Sequence, residues 1–184
     1  MRVLGIDPGS ETTGWGVVEG DARTYRAIEY GTIKASPRER FAARLLKISD
    51  GVDALLARFR PDVCSVEEAF FAVNVKTALK LGQVRGVILV AAERAGVEIA
   101  EYSPRLVKQT VVGYGAAEKH QVQEMVRVLL RLATIPQPHD ASDALAIAIC
   151  HFHHGGLAAR TKPTAARSKL DALLAANPRR RAPR

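Results

Sequence analysis

Three short apolar runs open the chain in close succession, Val3 to Asp7, Gly14 to Val18 and Ala27 to Ile33, separated by Gly-rich or polar connections. Strands joined this closely pair antiparallel, because a parallel return needs a crossover of about a dozen residues or more. The period then changes. Phe41, Leu45, Ile48, Val52, Leu55, Leu56 and Phe59 recur at helical spacing and predict an amphipathic helix over Arg38 to Arg60, closed by Pro61. Val63 to Glu67 reads as a fourth strand and Val75 to Ala95 as a long helix stopping before Gly96. Val97 to Tyr102 gives a fifth strand, followed by helices at Pro104 to Val112, Ala117 to Leu132 and Asp140 to about His154. The order β-β-β-α-β-α-β-α-α-α predicts an α/β fold, a five-stranded mixed sheet flanked by helices.

A chain of 184 residues with 47% hydrophobic content can bury one sizeable core. Cys64 and Cys150 lie in apolar segments, which argues against a disulfide framework and for a reducing, cytoplasmic setting. No signal peptide opens the sequence and no stretch is long and apolar enough for a bilayer, so no membrane partner is expected. The net charge of +8 is unevenly spread: residues 160–184 carry +7 of it and residues 1–159 only +1. The expected organisation is therefore a folded domain over residues 1–157 and a basic, flexible tail over 158–184. Such a tail attracts phosphate without showing that the folded part binds nucleic acid.

Four acids stand at the ends of predicted elements: Asp7, Glu67, Asp140 and Asp143. An ionised carboxylate at the rim of an apolar core must be solvated, paired or bound to a cation. Asp140 and Asp143 are three apart and share a helix face, with roughly 5 to 6 Å between their Cβ atoms. The helix they open, through Ala144 to Cys150, is apolar on all sides and so expected to be buried, which would carry both acids to the sheet. Hard oxygen ligands of this kind suit Mg²⁺ or Mn²⁺, and two such ions about 4 Å apart serve phosphodiester hydrolysis. Taken residue by residue, plainer roles stay open. Asp7-Pro8-Gly9-Ser10 also reads as a self-capping turn, and Asp140 as an N-cap with Asp143 favoured by the helix dipole.

Other patterns carry less. The Asp7-Pro8-Gly9-Ser10 turn with Thr12-Thr13-Gly14 is similar to the phosphate loop of sugar kinases and actin-like ATPases, but those use two lobes and this chain has room for one. Gly14-Trp15-Gly16-Val17-Val18-Glu19 fails the dinucleotide fingerprint at its last glycine. Cys150-His151-Phe152-His153-His154 has no common zinc spacing, and its histidines are expected at a solvent-facing helix end.

Taken together, Gly5-Ile6-Asp7-Pro8-Gly9-Ser10 with Thr13-Gly14, Val66-Glu67-Glu68-Ala69-Phe70 and Ala78-Leu79-Lys80-Leu81-Gly82-Gln83 resemble the RuvC family of Holliday-junction resolvases. So do Val107-Lys108-Gln109-Thr110-Val111-Val112-Gly113, Ala117-Glu118-Lys119 and Asp140-Ala141-Ser142-Asp143-Ala144-Leu145-Ala146-Ile147-Ala148. These segments occur in family order over residues 1–154 and imply a ribonuclease H-like fold.

The resemblance implies a structure-specific endodeoxyribonuclease that makes paired, metal-dependent cuts in four-way DNA junctions during recombination and repair. Position by position, its metal-binding acids correspond to Asp7, Glu67, Asp140 and Asp143, with two Mg²⁺ ions per site and Mn²⁺ as an alternative. Glu68 competes with Glu67, and only the surrounding segment favours the latter. Phe70, with Phe71 beside it, corresponds to aromatic contacts at the junction, although paired phenylalanines alone read as core. Lys108 and Lys119 match basic positions near the scissile phosphate; alone they read as solvated lysines. A homodimer and a branch-migration helicase complex of the RuvA and RuvB type are the partners implied. Gly82 and Gly86, four residues apart on one helix, suit close approach of another backbone, either a second subunit or the helix's own sheet. A junction-binding module without catalysis and a general nuclease of the same fold are the competing functions.

Overall fold

A computed structural model describes residues 1–68 and 74–158, with side chains through residue 155. Phe70, Phe71 and the basic segment beyond residue 158 lie outside the described residues. The chain divides into a unit over Met1–His153, which holds the sheet and its helices, and a second over His154–Arg184.

Strands β1 (Arg2–Asp7), β2 (Thr12–Gly20) and β3 (Tyr25–Lys34) form the expected antiparallel meander. The second and third run longer than the apolar pattern alone indicated. The Asp21 carboxylate accepts the Arg23 and Thr24 amides, so the link is a compact self-capped turn and the strands pair almost up to it. Helix α1 (Phe41–Phe59) comes next and stops where Arg60 turns left-handed before Pro61. β4 (Val63–Glu67) lies parallel to β1, and β5 (Glu98–Tyr102) parallel to β4, giving the order β3-β2-β1-β4-β5.

Between β4 and β5 runs α2 (Val75–Arg94), capped by the Asn74 carboxamide, which accepts the Lys76 amide. Helix α3 (Pro104–Val112) is capped by the Ser103 hydroxyl, which accepts the Leu106 amide, has proline in its first turn and is closed by Gly113 in the left-handed region. Helix α4 (Lys119–Leu129) is shorter than the predicted Ala117 to Leu132. A capping box between Glu118 and Gln121 fixes its start, and Leu130 and Arg131 turn out of it.

Helix α5 (His139–Ala158) is buried from Ala141 to Phe152 except at Asp143, as its apolar sequence required. The sheet thus separates two cores. Leu4, Ile6, Val17 and Val66 pack with α1 and α2 on one face, and Val3, Val18 and Tyr102 pack with α3, α4 and α5 on the other.

Candidate active site

Side chains alternate across a strand, so Val3, Gly5 and Asp7 of β1 all face α5. Register carries this across the sheet. Gly16, Gly5, Ser65 and Ala100 are successive cross-strand partners and make one row of small residues. A Cβ at Gly5 would overlap the Ala144 carbonyl oxygen, one at Gly14 the Asp140 carbonyl oxygen, and one at Gly16 would come within 2.7 Å of Leu145. The α5 backbone therefore lies directly on the sheet. The Ser65 hydroxyl fastens it there by donating to the Ile147 carbonyl at 3.1 Å. Glycine recurring at alternate strand positions is the sequence signal of such an approach, and it is independent of the acid-bearing motifs.

One row further along, Asp7 pairs with Gly14 and Glu67 with Tyr102, one step beyond the Ile6 and Val66 pair that joins β1 to β4. Asp7 and Glu67 thereby stand on neighbouring parallel strands at the same end. Glu68 is exposed, one residue past the strand, and its amide donates to the Tyr102 carbonyl at 2.9 Å. The start of α5 supplies the other two acids. Asp140 lies inside the first turn, not at the N-cap, since the helix already begins at His139. Carboxylate oxygens of Asp7, Asp140 and Asp143 all fall within 4.8 Å of one another.

Burial raises the Asp7 carboxyl to about 7, and the charges of Glu67, Asp143 and Asp140 push it the same way against Lys119. Burial and then Asp143 raise Glu67 to about 6, opposed by Lys108 and Lys119. Four acids thus meet where the protein's own cations do not balance them. Lys119, the first residue of α4, places Nζ 2.7 Å from Asp143 Oδ2. Burial works against the Lys119 charge, but its bond to Asp143 and the attraction of Asp143, Asp7 and Asp140 outweigh that and hold the ammonium above the ordinary lysine range.

Asp7, Glu67, Asp143, Lys108 and Lys119 line one cavity of about 180 Å³, walled by Val107, Val122 and Ile147. Five side chains singled out in the sequence converge there, from β1, β4, α3, α4 and α5. The oxygen-only acidic donor set fits a hard divalent cation.

The histidines at the end of α5 depart from expectation. His153 is exposed, but His151 is buried and its Nδ1 lies 2.8 Å from the Tyr102 hydroxyl. Burial lowers its pKa, with Glu98 acting the other way, so neutral imidazole is favoured. The bond ties α5 to the β5 residue paired with Glu67. His151 belongs to the stretch of α5 that is buried on all sides, a position masked by the neighbouring polar His153 and His154.

Against known proteins, the family described as Crossover junction endodeoxyribonuclease RuvC matches residues 3–151. The chain is 52% identical over 153 residues to the Crossover junction endodeoxyribonuclease RuvC of Chloroflexus aggregans, covering 83% of this chain and 93% of that one. Among solved structures, Thermus thermophilus RuvC superposes with a TM-score of 0.78 at 41% identity, over 86% of this chain and 97% of that one. The same protein in complex with Holliday junction substrate gives 0.81 at 41% identity, over 86% and 96%.

Proposed function

Because the chain belongs to the RuvC family of crossover junction endodeoxyribonucleases, we propose that it resolves four-way DNA junctions with Asp7, Glu67, Asp140 and Asp143 as its metal-binding catalytic carboxylates and magnesium as its ion. The convergence of three carboxylates within 4.8 Å, beside a cavity shared with Glu67 and two lysines, carries this reading. Asp7, Glu67, Asp140 and Asp143 would hold the divalent cation, which would supply positive charge to the phosphate and to the departing 3′ oxygen.

The chain's own groups do the rest. Lys119 holds Asp143 by its hydrogen bond and keeps a positive charge at the cavity. Lys108, from α3, faces the same space and offers an ammonium to the scissile phosphate. Val107, Val122 and Ile147 give the cavity apolar walls, which lower the local dielectric and strengthen each of these interactions. The family resemblance supports stacking of Phe70 and Phe71 on junction bases, a contact worth about 1 to 3 kcal/mol per base.

Two cuts on strands of like polarity call for two equivalent sites, which a two-fold homodimer presents. Helix α2 supports that assembly. Val75, Leu79 and Val90 are 70%, 64% and 56% exposed, and nothing lies within 4 Å of a Cβ built at Gly82 or Gly86. These positions lie along one stripe, apolar and open enough for a second helix to approach closely. A helicase complex of the RuvA and RuvB type is the further partner the family implies. No helix among the described residues is long and apolar enough to cross a membrane.

The decisive experiment compares a synthetic four-way junction with a linear duplex of the same sequence, with Mg²⁺ and with EDTA, for wild type and Asp7→Asn. Paired cuts confined to the junction, requiring Mg²⁺ and lost in Asp7→Asn, are expected. Binding without cuts would leave a recognition module, and equal cutting of the duplex a general nuclease. Gly82→Leu should sediment as a monomer; an intact dimer would remove α2 from the interface.

A further inference from the structure

Residues 1–159 are almost balanced in charge, at +1 in sum. Against that background, a groove of about 650 Å³ between the β2–β3 turn and the end of α4 is lined by Arg23, Arg26 and Arg131 and by one acid, Glu19. The groove lies at the far end of β1 from the carboxylate cluster. Asp7 pairs with Gly14 at one end of that strand and Arg2 with Glu19 at the other, a separation of about 17 Å along an extended chain.

Glu19 is already paired, since it accepts from both Arg2 and Arg26. Arg23 and Arg131 are exposed, and their side chains make no hydrogen bond or ion pair among the described residues. Arg131 stands just past α4 in the left-handed region, at φ 54°, where a side chain is strained and glycine is the usual residue. Closing the helix does not require that side chain. The Arg127 and Val128 carbonyls accept the Leu132 and Arg131 amides at 2.9 and 3.1 Å, a closure made by backbone alone.

The groove also has an ordered rim and an apolar floor. Asp21 accepts the Arg23 and Thr24 amides and so holds the turn, Tyr25 stacks on Phe152 with ring centres 5.4 Å apart, and Leu129 and Leu130 complete the floor. β3, which starts at the groove, is an edge strand, and no backbone group in it pairs outside the sheet among the described residues. Guanidiniums alone suit any anion. An apolar floor beside an open strand edge suits a polypeptide, which has side chains for the floor, a main chain for the edge and carboxylates for the arginines. A DNA backbone offers nothing to the floor or the edge.

We propose that this groove docks an extended, acidic segment of a protein partner, with a bulky apolar side chain on Tyr25, Leu129 and Leu130 and carboxylates on Arg23, Arg26 and Arg131. Docking there leaves the carboxylate cluster at the other end of the sheet open to DNA.

The test titrates the full-length protein with a labelled mixture of short peptides in which Asp or Glu alternates with Leu, Val, Tyr or Thr. Control mixtures carry Asn and Gln for the acids, or Ser for the apolar residues. Wild type should bind the parent mixture about tenfold tighter than either control. Arg23→Gln combined with Arg131→Gln should lose the preference for acids and keep the preference for apolar residues. Arg131→Gly should bind the parent mixture about threefold more weakly while melting about 3 °C higher, because glycine relieves the left-handed strain.

No binding of the parent mixture by wild type at millimolar concentration would overturn the docking site, as would a preference for acids that survives the double substitution. A linear duplex that displaces the peptides from wild type, and binds the doubly substituted protein more weakly, would assign the groove to DNA instead. Junction cleavage in Mg²⁺ should be the same in wild type and in both variants; its loss would place the groove on the path of the substrate and remove the peptide.

Discussion

The two faces of the central sheet solve the same packing problem with opposite materials. Toward α1 and α2, the row Val17, Leu4, Cys64 and Ile99 presents bulky side chains. Toward α5, the neighbouring row is Gly16, Gly5, Ser65 and Ala100. Where side chains interdigitate, a change in volume is shared among rotamers and partly relaxes. Where a helix backbone rests on a strand backbone, nothing can yield except the helix. The α5 face therefore fixes a position, and the other face supplies cohesion. Asp140 and Asp143 sit at the end of the helix whose position is fixed.

The largest effect should come from the acids that this fixed helix delivers. Asp7→Asn removes the carboxylate at the centre of the cluster and should slow junction cleavage by about a thousandfold or more, near 4 kcal/mol in barrier. Gly14→Ala tests position, since its methyl group would overlap the Asp140 carbonyl and push the start of α5 away. It should cost about 3 kcal/mol of stability and, at a temperature where the variant is folded, at least about a hundredfold in cleavage. Ile48→Val on the opposite face should cost only about 1 kcal/mol and leave cleavage per folded molecule unchanged. Equal losses of cleavage for Gly14→Ala and Ile48→Val would erase the distinction between the faces.

The pH dependence of the metal-free protein sharpens the same contrast. Asp7 and Glu67 are raised to about 7 and about 6, so the folded chain binds their protons more tightly than the unfolded chain does. Raised carboxyl pKa values favour folding while the groups are protonated, and that advantage is lost as pH climbs through about 6 and 7. In EDTA, thermal unfolding should therefore show a gain of about 3 kcal/mol from Asp7 between pH 8 and pH 5. Asp7→Asn should abolish that component and be the more stable protein at pH 8, and saturating Mg²⁺ should flatten the wild-type profile by favouring the ionised form. A wild-type slope unchanged by Asp7→Asn would mean that the acids are not crowded by burial and by one another.

How much of this the sequence discloses depends on what each signal reports. Period changes place the ten elements of the described residues because they record which faces are apolar, and the four acids stand out because carboxylates at the ends of apolar runs are costly. Parallel pairing of β1 with β4 is a long-range choice, and sequence patterns say only that Asp7 and Glu67 would meet if it occurred. Lys119 is less legible: its local context is a polar helix start, and its partner Asp143 is distant in sequence. His151 misleads for the opposite reason, since polar neighbours at His153 and His154 make a buried position look exposed. The glycines of β1 and β2 are plain to see, but a missing side chain signals close approach without saying what approaches.

The buried pair of Tyr102 and His151 is where the smallest effect is expected and where the two faces can be compared most finely. Tyr102 reaches α5 from the β5 residue paired with Glu67, so its hydroxyl adds a directional link to a face otherwise held by backbone contact. Tyr102→Phe keeps the ring and leaves His151 Nδ1 without that partner, at a cost of about 1 to 2 kcal/mol for a buried polar group. Cys64→Ala removes one buried sulfur from the other face and should cost a similar amount through the cavity it leaves. Matched in stability, the two variants should differ in function. Tyr102→Phe loosens the register between β5 and α5 and should raise the Mg²⁺ concentration for half-maximal cleavage severalfold, whereas Cys64→Ala should leave it unchanged. The same Mg²⁺ requirement in both would reduce the Tyr102 link to one more increment of core stability.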